Sequence, residues 1–313
     1  MRECPEDQIS PSVWNRITER VTTQDWPASA LYVVATPIGN LADLSLRAWQ
    51  ALLRCDVIAA EDTRVSRHLL DAWGVVTPLM AAHQHNEARA AQDIIGRLEQ
   101  GQRVALVSDA GAPAVSDPGA RIVRRVHEAG FRVIPVPGPS AVIAALMGSG
   151  ATSDQNPAFV FAGFMPPKAT ARKQWLHEWC FLSAPVVMFE SPHRLRASVD
   201  NIAEVCGSAR PVTLARELSK RFEQIVTLPA GDLSAWLDDD PHRGQGEFVL
   251  IVHAPETSPL TARTAVDEMA LADALLESLS VRDAARILTK ATSLSRDEAY
   301  QLALARSRRA QEP

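Results

Sequence analysis

Cysteine is scarce: Cys4, Cys55, Cys180 and Cys206 are the only four in 313 residues, and no two form a C-x-x-C pair. Such scatter excludes a disulfide framework and a thiolate zinc site, and fits reduced thiols. Long apolar runs are missing as well. No stretch reaches the length of a membrane span, and the N-terminus has no charged-then-apolar signal pattern, so a cytoplasmic protein is expected. An excess of positive charge is also lacking. A net charge of −5 argues against a generic nucleic-acid coat but leaves room for a local basic surface. Neither G-x-G-x-x-G after the first strand nor G-x-x-x-x-G-K-[ST] occurs, so the two common backbone cradles for phosphate are absent. Repeats and low-complexity tracts are absent too.

What is present is an alternating texture. The apolar fraction of 46% and charged fraction of 22% are ordinary for globular proteins, and the length suits two or three domains. Residues 1–28, with Pro5, Pro11 and Pro27, read as an extension with one short helix near Val13–Val21. Strand-like runs follow at Leu31–Ala35, Val57–Ala60, Val104–Val107 and Arg132–Val136, with a weaker one at Thr77–Ala81. Helical periodicity separates them at Leu44–Leu53, Arg64–Trp73, Glu87–Glu99 and Ala120–Ala129. Strands alternating with helices predict βαβ units and a mainly parallel sheet. A helix at Ser140–Met147 then closes a first α/β domain, residues 29–150.

A second α/β domain, 151–256, is expected from strands at Phe159–Phe161, Val186–Phe189, Val212–Ala215, Gln224–Thr227 and Phe248–His253. Helices at Ala169–Trp179, Leu195–Val205 and Leu233–Leu237 lie between some of them, and a hairpin around Lys220–Glu223 predicts a mixed sheet. After Pro255 and Pro259 the pattern becomes wholly helical, with helices at Ala265–Leu279, Val281–Thr289 and Arg296–Ser307. The fold class is thus α/β: two α/β domains and a helical appendix, 257–313.

Val104–Gly119, VALVSDAGAPAVSDPG, is the most informative segment. A buried-looking strand delivers Asp109 and a Gly/Pro loop to its C-terminal end; Asp117 is placed to cap the next helix and Pro118 to open it. Two other strands end alike, in Thr36-Pro37-Ile38-Gly39-Asn40 and Pro137-Gly138-Pro139-Ser140. In a parallel sheet all three loops emerge on one edge, where open α/β sheets bind small molecules. Without a phosphate cradle, the ligand should meet backbone polar groups, one carboxylate and apolar walls. For Asp109 the bland alternative is a turn-forming Asx.

TPIGNLADLSLRA, AEDTRVSRHLL, HNE, SDAGAPAVSDPG, PVPGPSA, FAGFMPPK, FESPHRL, ARELSKRFE and GEFVLIV together resemble the ribosomal small-subunit methyltransferase I family of the tetrapyrrole-methylase superfamily. The resemblance covers Leu31 to the C-terminus. It implies S-adenosylmethionine (S-adenosyl-L-methionine) as cofactor, a cytidine ribose 2′-hydroxyl in the decoding region of 16S rRNA as acceptor, two α/β domains flanking the cofactor, and a homodimer. It places Pro37, Asp109, Gly111, Ser140, Ala141 and Phe164 at the cofactor, with Arg216 and Gly246 as weaker members. Glu61 or Glu217 would be the base, while Arg64, Lys168 and Lys220 would hold phosphate or stabilise charge. Each of these is equally readable as a surface ion pair. A superfamily relative acting on a tetrapyrrole or other small acceptor, and a non-catalytic ribosome-associated RNA-binding protein, are the alternatives.

Other features are less specific. His83, His85 and Glu87 make a poor metal site without a third imidazole, and no metal is expected. Between Phe164 and Arg221 nine Lys/Arg face five Asp/Glu, an excess readable as a phosphate-contacting surface and at least equally as a solvated face of mixed charge. For His193, Arg194 and Arg196 at a helix start, the family resemblance favours RNA contact over a solvated first turn. Trp175 and Trp179, at helical spacing, read as core or interface. Two features depart from the family pattern: the N-terminal extension, and Gln245 where many members have Lys.

Overall fold

The computed structural model describes residues 11–116, 119–255, 268–292 and 294–309. The extension contributes one helix, α1 (Pro11–Thr22), packed against α2 (Leu46–Arg54). The first sheet contains β1 (Ala30–Val34), β2 (Val57–Ala60), β3 (Leu79–Ala81), β4 (Arg103–Val107) and β5 (Arg132–Val136). Their order is β3-β2-β4-β1-β5 and every pairing is parallel. The three Gly/Pro loops therefore leave the same edge, as the strand pattern requires.

Alternation along the strands assigns the helices to faces. Tyr32, Val34, Ile58, Ala60, Ala105 and Val107 face α2 and α3 (Thr63–Ala72), forming one buried cluster. Leu31, Val57, Ala59, Val104 and Leu106 face α4 (Glu87–Glu99) and α5 (Ala120–Glu128), forming another. Successive side chains of a strand point to opposite faces, so one pattern serves both layers. The chain leaves β1 toward α2 on one face and leaves neighbouring β4 toward α5 on the other. The β1/β4 junction is thus the switch point, where a crevice opens beyond the strand ends.

The second sheet joins β6 (Val160–Phe164), β7 (Val186–Glu190), β8 (Pro211–Arg216), β9 (Gln224–Pro229) and β10 (Phe248–Val252) in the order β6-β7-β10-β8-β9. Only β6 and β7 run parallel, so the sheet is mixed, with β8 and β9 as the hairpin. Central β10 is buried at all five positions, which suits its unbroken Phe-Val-Leu-Ile-Val run. One face carries α7 (Ala169–Trp179), α8 (Pro192–Cys206) and α9 (Leu233–Asp238), with Trp175 and Trp179 against that core. The other face is covered by α6 (Ala141–Ser149), which follows the first sheet in sequence. Val142 and Ala145 pack on Val187, Ala215, Val249 and Ile251, with Ile38 of the β1 loop alongside. Through α6 the β1 loop of the first sheet is packed onto the second.

Helices α10 (Glu268–Leu276), α11 (Val281–Ala291) and α12 (Arg296–Arg309) form a separate alanine-rich cluster. The expected start of α10 at Ala265 lies outside the described residues, as do Asp117 and Pro118. The described part of α5 starts at Ala120, and its first N–H groups are met from far away in sequence. Glu87 Oε1 accepts from Gly119 N–H at 2.9 Å and Arg121 N–H at 3.2 Å. None of the described helices is long and apolar enough to cross a membrane.

Candidate active site

The three loops meet at the switch point. Thr36 N–H donates to the Gly111 carbonyl at 2.8 Å and Gly111 N–H returns to the Thr36 carbonyl at 3.0 Å, joining the β1 and β4 loops. The buried Thr36 hydroxyl adds a bond to the Ser108 carbonyl at 3.2 Å. A side chain on Gly138 would stand 3.1 Å from Ala35, and one on Gly111 would stand 3.9 Å from the Pro139 carbonyl. The β5 loop therefore closes on the other two, with Ser140 and Ala141 where α6 begins.

Asp109 is not a local turn. Its Oδ1 accepts the Asp62 N–H at 2.9 Å, bracing the β4 loop against the residue that caps α3. Asp62 in turn accepts Arg64 N–H at 2.8 Å and both arms of the Arg64 guanidinium, at 3.1 and 2.7 Å. Those side-chain bonds from Arg64 hold the Asp62 carboxyl down at about pKa 2. Pro37, Ile38, Gly39, Ser108, Asp109 and Ala110 line a cleft of about 360 Å³, with Val65 and Leu69 of α3 as apolar wall and Lys220 and Glu247 opposite. Arg64 is outside that lining; with Arg67 and His68 it borders a neighbouring open depression. Glu61, which follows β2, is outside it too.

The opposite wall is the β8 loop, the ARELSK motif. Arg216 at its base donates to the Gln245 carbonyl at 2.6 Å. Glu217 Oε1 accepts both Lys220 Nζ and the Glu247 N–H at 2.9 Å, and Lys220 Nζ also reaches Glu247 Oε2 at 3.0 Å. Gly246 is required here: at φ +103° any Cβ would lie 2.5 Å from Glu217 Oε1. Lys220 then crosses the cleft, because a Cβ on Gly39 would meet its Cγ at 2.5 Å. Ser219 Oγ adds a hydrogen bond to Asp43 Oδ2 on the first-sheet side. Glu217 (φ 51°) and Ser219 (φ 67°) sit in the left-handed region, as do Ala114 and Ser116 of the β4 loop. Among the described residues, four of the five non-glycine residues with positive φ thus belong to the β4 and β8 loops.

Burial pulls the Lys220 pKa down, but the bonds to Glu217 and Glu247 outweigh it and the net shift is upward. Glu217 mirrors this: burial raises it, and the Glu247 N–H and Lys220 outweigh that, leaving it lowered. A depressed carboxylate contributes stability above its unfolded pKa and loses it as pH falls through the folded value; a raised ammonium contributes below its unfolded pKa and loses it as pH climbs. The strap should therefore hold from about pH 5 to about pH 10. Thermal unfolding of Lys220→Met against wild type across pH checks this: the difference should be flat in that window and shrink in acid. A difference undiminished at low pH would contradict it.

A third lip follows β6, outside the lining of the cleft and against the β4 loop. Phe164 is 55% exposed and stacks edge-on to Phe189 at 5.3 Å, while Gly163 faces Ser116 of the β4 loop. Three successive carbonyls after it are held by two arginines. Arg194 donates to Met165 O at 3.3 Å, and Arg172, only 3% exposed, donates to Pro166 O and Pro167 O at 3.3 Å and to Asn201 at 2.9 Å. Arg194 is itself fixed by buried Glu190 at 2.7 Å. Lys168 at the end of this lip has no side-chain partner among the described residues.

Of the two readings of Phe164–Arg221, these contacts favour a surface of mixed, paired charge over a basic RNA face. Arg172, Lys173, Arg194, Arg196, Arg210, Arg216 and Lys220 all bind acids or carbonyls of this chain. Arg194 and Arg196, expected to be free for phosphate, are paired with Glu190 and Asp238. Lys168 and Arg221 remain, the latter over the Phe222 ring. Glu87 is engaged in holding the start of α5, so it is not available beside His83 and His85. Sequence reading missed Thr36, Glu190 and Arg172; only the buried-polar character of Glu190 in an apolar strand hinted at a role.

Residues 30–234 match the family described as tetrapyrrole (corrin/porphyrin) methylases, and 262–307 match the RsmI C-terminal HTH domain. Proteins named ribosomal RNA small subunit methyltransferase I are similar over most of the chain. That of Neisseria meningitidis serogroup B is 42% identical over 88% of this chain and 92% of its own. That of Pseudomonas aeruginosa is 41% identical over 89% and 98%. Among solved structures, diphthine synthase aligns at TM-score 0.55 and 15% identity, covering 72% of this chain and 90% of that one. Cobalt precorrin-4 methyltransferase aligns at 0.53 and 16%, covering 72% and 95%. At such identities the structures speak to fold alone. The relatives in sequence, matched nearly end to end, go further: the chain belongs to the ribosomal RNA small subunit methyltransferase I family within the tetrapyrrole methylases.

Proposed function

We propose that this chain, an S-adenosylmethionine-dependent rRNA methyltransferase by family, methylates the ribose 2′-oxygen of a cytidine in the decoding region of 16S rRNA. The observation that carries the reading is the meeting of three Gly/Pro loops around one carboxylate, Asp109, opposite a lysine supplied by the other sheet. The donor set fits the cofactor, which has no phosphate: Asp109 for ribose hydroxyls or the amino group, and the Pro37, Gly111, Ser140 and Ala141 backbones for close approach. Phe164 is an apolar cover, and Arg216 and Gly246 shape the wall behind Lys220. When bound, S-adenosylmethionine supplies a methyl group on a sulfonium leaving group.

The chain's own work is positioning and proton handling. The base that takes the 2′-hydroxyl proton is Glu61, which follows β2, or Glu217, which bonds to the cleft-lining Lys220. Lys220 stabilises the negative charge that develops on the acceptor oxygen, and Glu217 holds that ammonium in place. Lys168 contacts acceptor phosphate, and Arg64, paired with Asp62 but 88% exposed, supplies a second cation. The acceptor is a folded small subunit or late intermediate, since a chain of net charge −5 is poorly suited to gripping naked RNA. The working unit is a homodimer in the cytoplasm, as the family resemblance implies.

Mass-spectrometric mapping of 16S rRNA with and without the protein is the direct test. Loss of one 2′-O-methylcytidine supports the proposal; an unchanged map, or a small-molecule acceptor, overturns it. Asp109→Ala should weaken S-adenosylmethionine binding about 30-fold, from the loss of about 2 kcal/mol for a charge-assisted hydrogen bond. Calorimetry with the cofactor reads it, and unchanged affinity would remove Asp109 from the site.

A further inference from the structure

The cations of residues 164–221 are largely paired with acids or carbonyls of the chain, so less encumbered charge for the RNA backbone is to be sought elsewhere. Helix α11 supplies it. Its exposed positions are Arg282, Arg286, Lys290 and the terminal Ala291. The three cations recur every four residues, so they form one row about 12 Å long on a single face. The opposite face, Ala284, Ala285 and Leu288, is buried against Ala272 of α10 and Ala299 and Ala303 of α12.

Of the three cations, Arg286 is met by an acid, in an ion pair that leaves it 69% exposed. Asp283 sits in the first turn, accepting from Ser280 Oγ at 2.7 Å, and reaches only Arg286, at 3.2 Å. Asp273 is held by Arg306 of α12. Arg282 and Lys290 have no partner among the described residues. Arg282 also lies near the helix N-terminus, where a cation works against the dipole, so helix stability does not account for it. The neighbours differ: α12 exposes Arg296, Asp297, Glu298, Tyr300 and Gln301, a mixed set, and α10 exposes Met269, Ala270 and Ala274.

We propose that α11 docks the helical appendix on the RNA phosphate backbone, each of Arg282, Arg286 and Lys290 neutralising one phosphate. The proposal rests on the reading of the chain as an rRNA methyltransferase and adds the surface by which the acceptor is held. Cations that release counterions from RNA leave a signature in salt dependence rather than in chemistry.

The test compares the full chain with Arg282→Gln/Arg286→Gln/Lys290→Gln, binding small ribosomal subunits and protein-free 16S rRNA across a salt series. The slope of log K against log salt should become shallower by about 2 on both substrates, roughly 0.7 for each lost contact. Arg282→Gln alone should give about a third of that change. Cofactor affinity and turnover at saturating subunit should stay within about twofold. An unchanged slope overturns the proposal, as does weaker binding with the slope preserved. A change on the particle but not on protein-free RNA also overturns it, pointing to a ribosomal protein instead. Wild-type protein that neither binds nor methylates the subunit would sink the functional reading itself; wild type active with an unaltered variant sinks only the α11 row.

Discussion

Lys220→Met is expected to lower methyl transfer at saturating cofactor by about 300-fold, within the 10²–10³ that a preorganised donor at a developing oxyanion contributes. The expectation rests on how firmly the ammonium is held. Two carboxylates grip it at 2.9 and 3.0 Å, and the stem lies across Gly39 of the opposite sheet. Glu217→Gln keeps the shape but loosens the anchor, so its loss should be smaller, about tenfold. Gly39→Ala should lower turnover by displacing the same stem from the other side. Lys220→Met and Glu217→Gln act on kcat, and with them S-adenosylmethionine affinity should change less than threefold, since they leave Asp109 and the first-sheet loops untouched. Equal turnover in wild type and Lys220→Met would remove Lys220 from the chemistry.

Legibility of the fold in the sequence followed the range of the forces involved. Val57–Ala60, Arg132–Val136, Glu87–Glu99 and Ala169–Trp179 could be read to the residue, because each is a local apolar run or a 3.6-residue period bounded by polar groups. β6 was expected to end at Phe161 and continues to Phe164, because its pairing with β7 shifts register between those residues. α8 starts at Pro192 rather than Leu195, with Pro in the first helical position, where its missing N–H costs nothing. The three loops of the site were readable as a set because parallel strands fix their common edge.

What long-range contacts decide was not readable. Asp109 finds its partner 47 residues upstream at Asp62, and α5 draws its cap from Glu87. The charge count of the second half left two readings open for the same reason. A tally of Lys and Arg carries no information on which are buried among proline carbonyls, as Arg172 is, or locked to a buried carboxylate, as Arg194 is. Exposed charge is a property of packing, and only periodicity along a helix, as in α11, lets sequence anticipate it.

Glu190 is where packing and function can be pulled apart. Its side chain is fully buried at the end of β7, accepting the Ser191 N–H at 2.7 Å, Arg194 at 2.7 Å and Ser198 Oγ at 2.5 Å. Glu190→Ala leaves the Arg194 guanidinium and the Ser198 hydroxyl without their acceptor, at a cost of about 3–5 kcal/mol. A fall in unfolding temperature on the order of 10 °C is expected by calorimetry. Removing the ion pair, Glu190→Leu with Arg194→Leu, should recover the part of that loss due to the unpaired charge, because an apolar pair carries no charge desolvation penalty. It leaves only the Ser198 hydroxyl and Ser191 N–H without their acceptor. If the pair served the fold alone, activity would return along with stability. Arg194, however, also holds the Met165 carbonyl in the lip that presents Lys168. The double variant should therefore regain that part of its unfolding temperature yet show a KM for the small subunit raised about tenfold, roughly 1.4 kcal/mol of acceptor binding. Stability and KM returning together would assign the network to the fold; stability returning without KM assigns it to the lip.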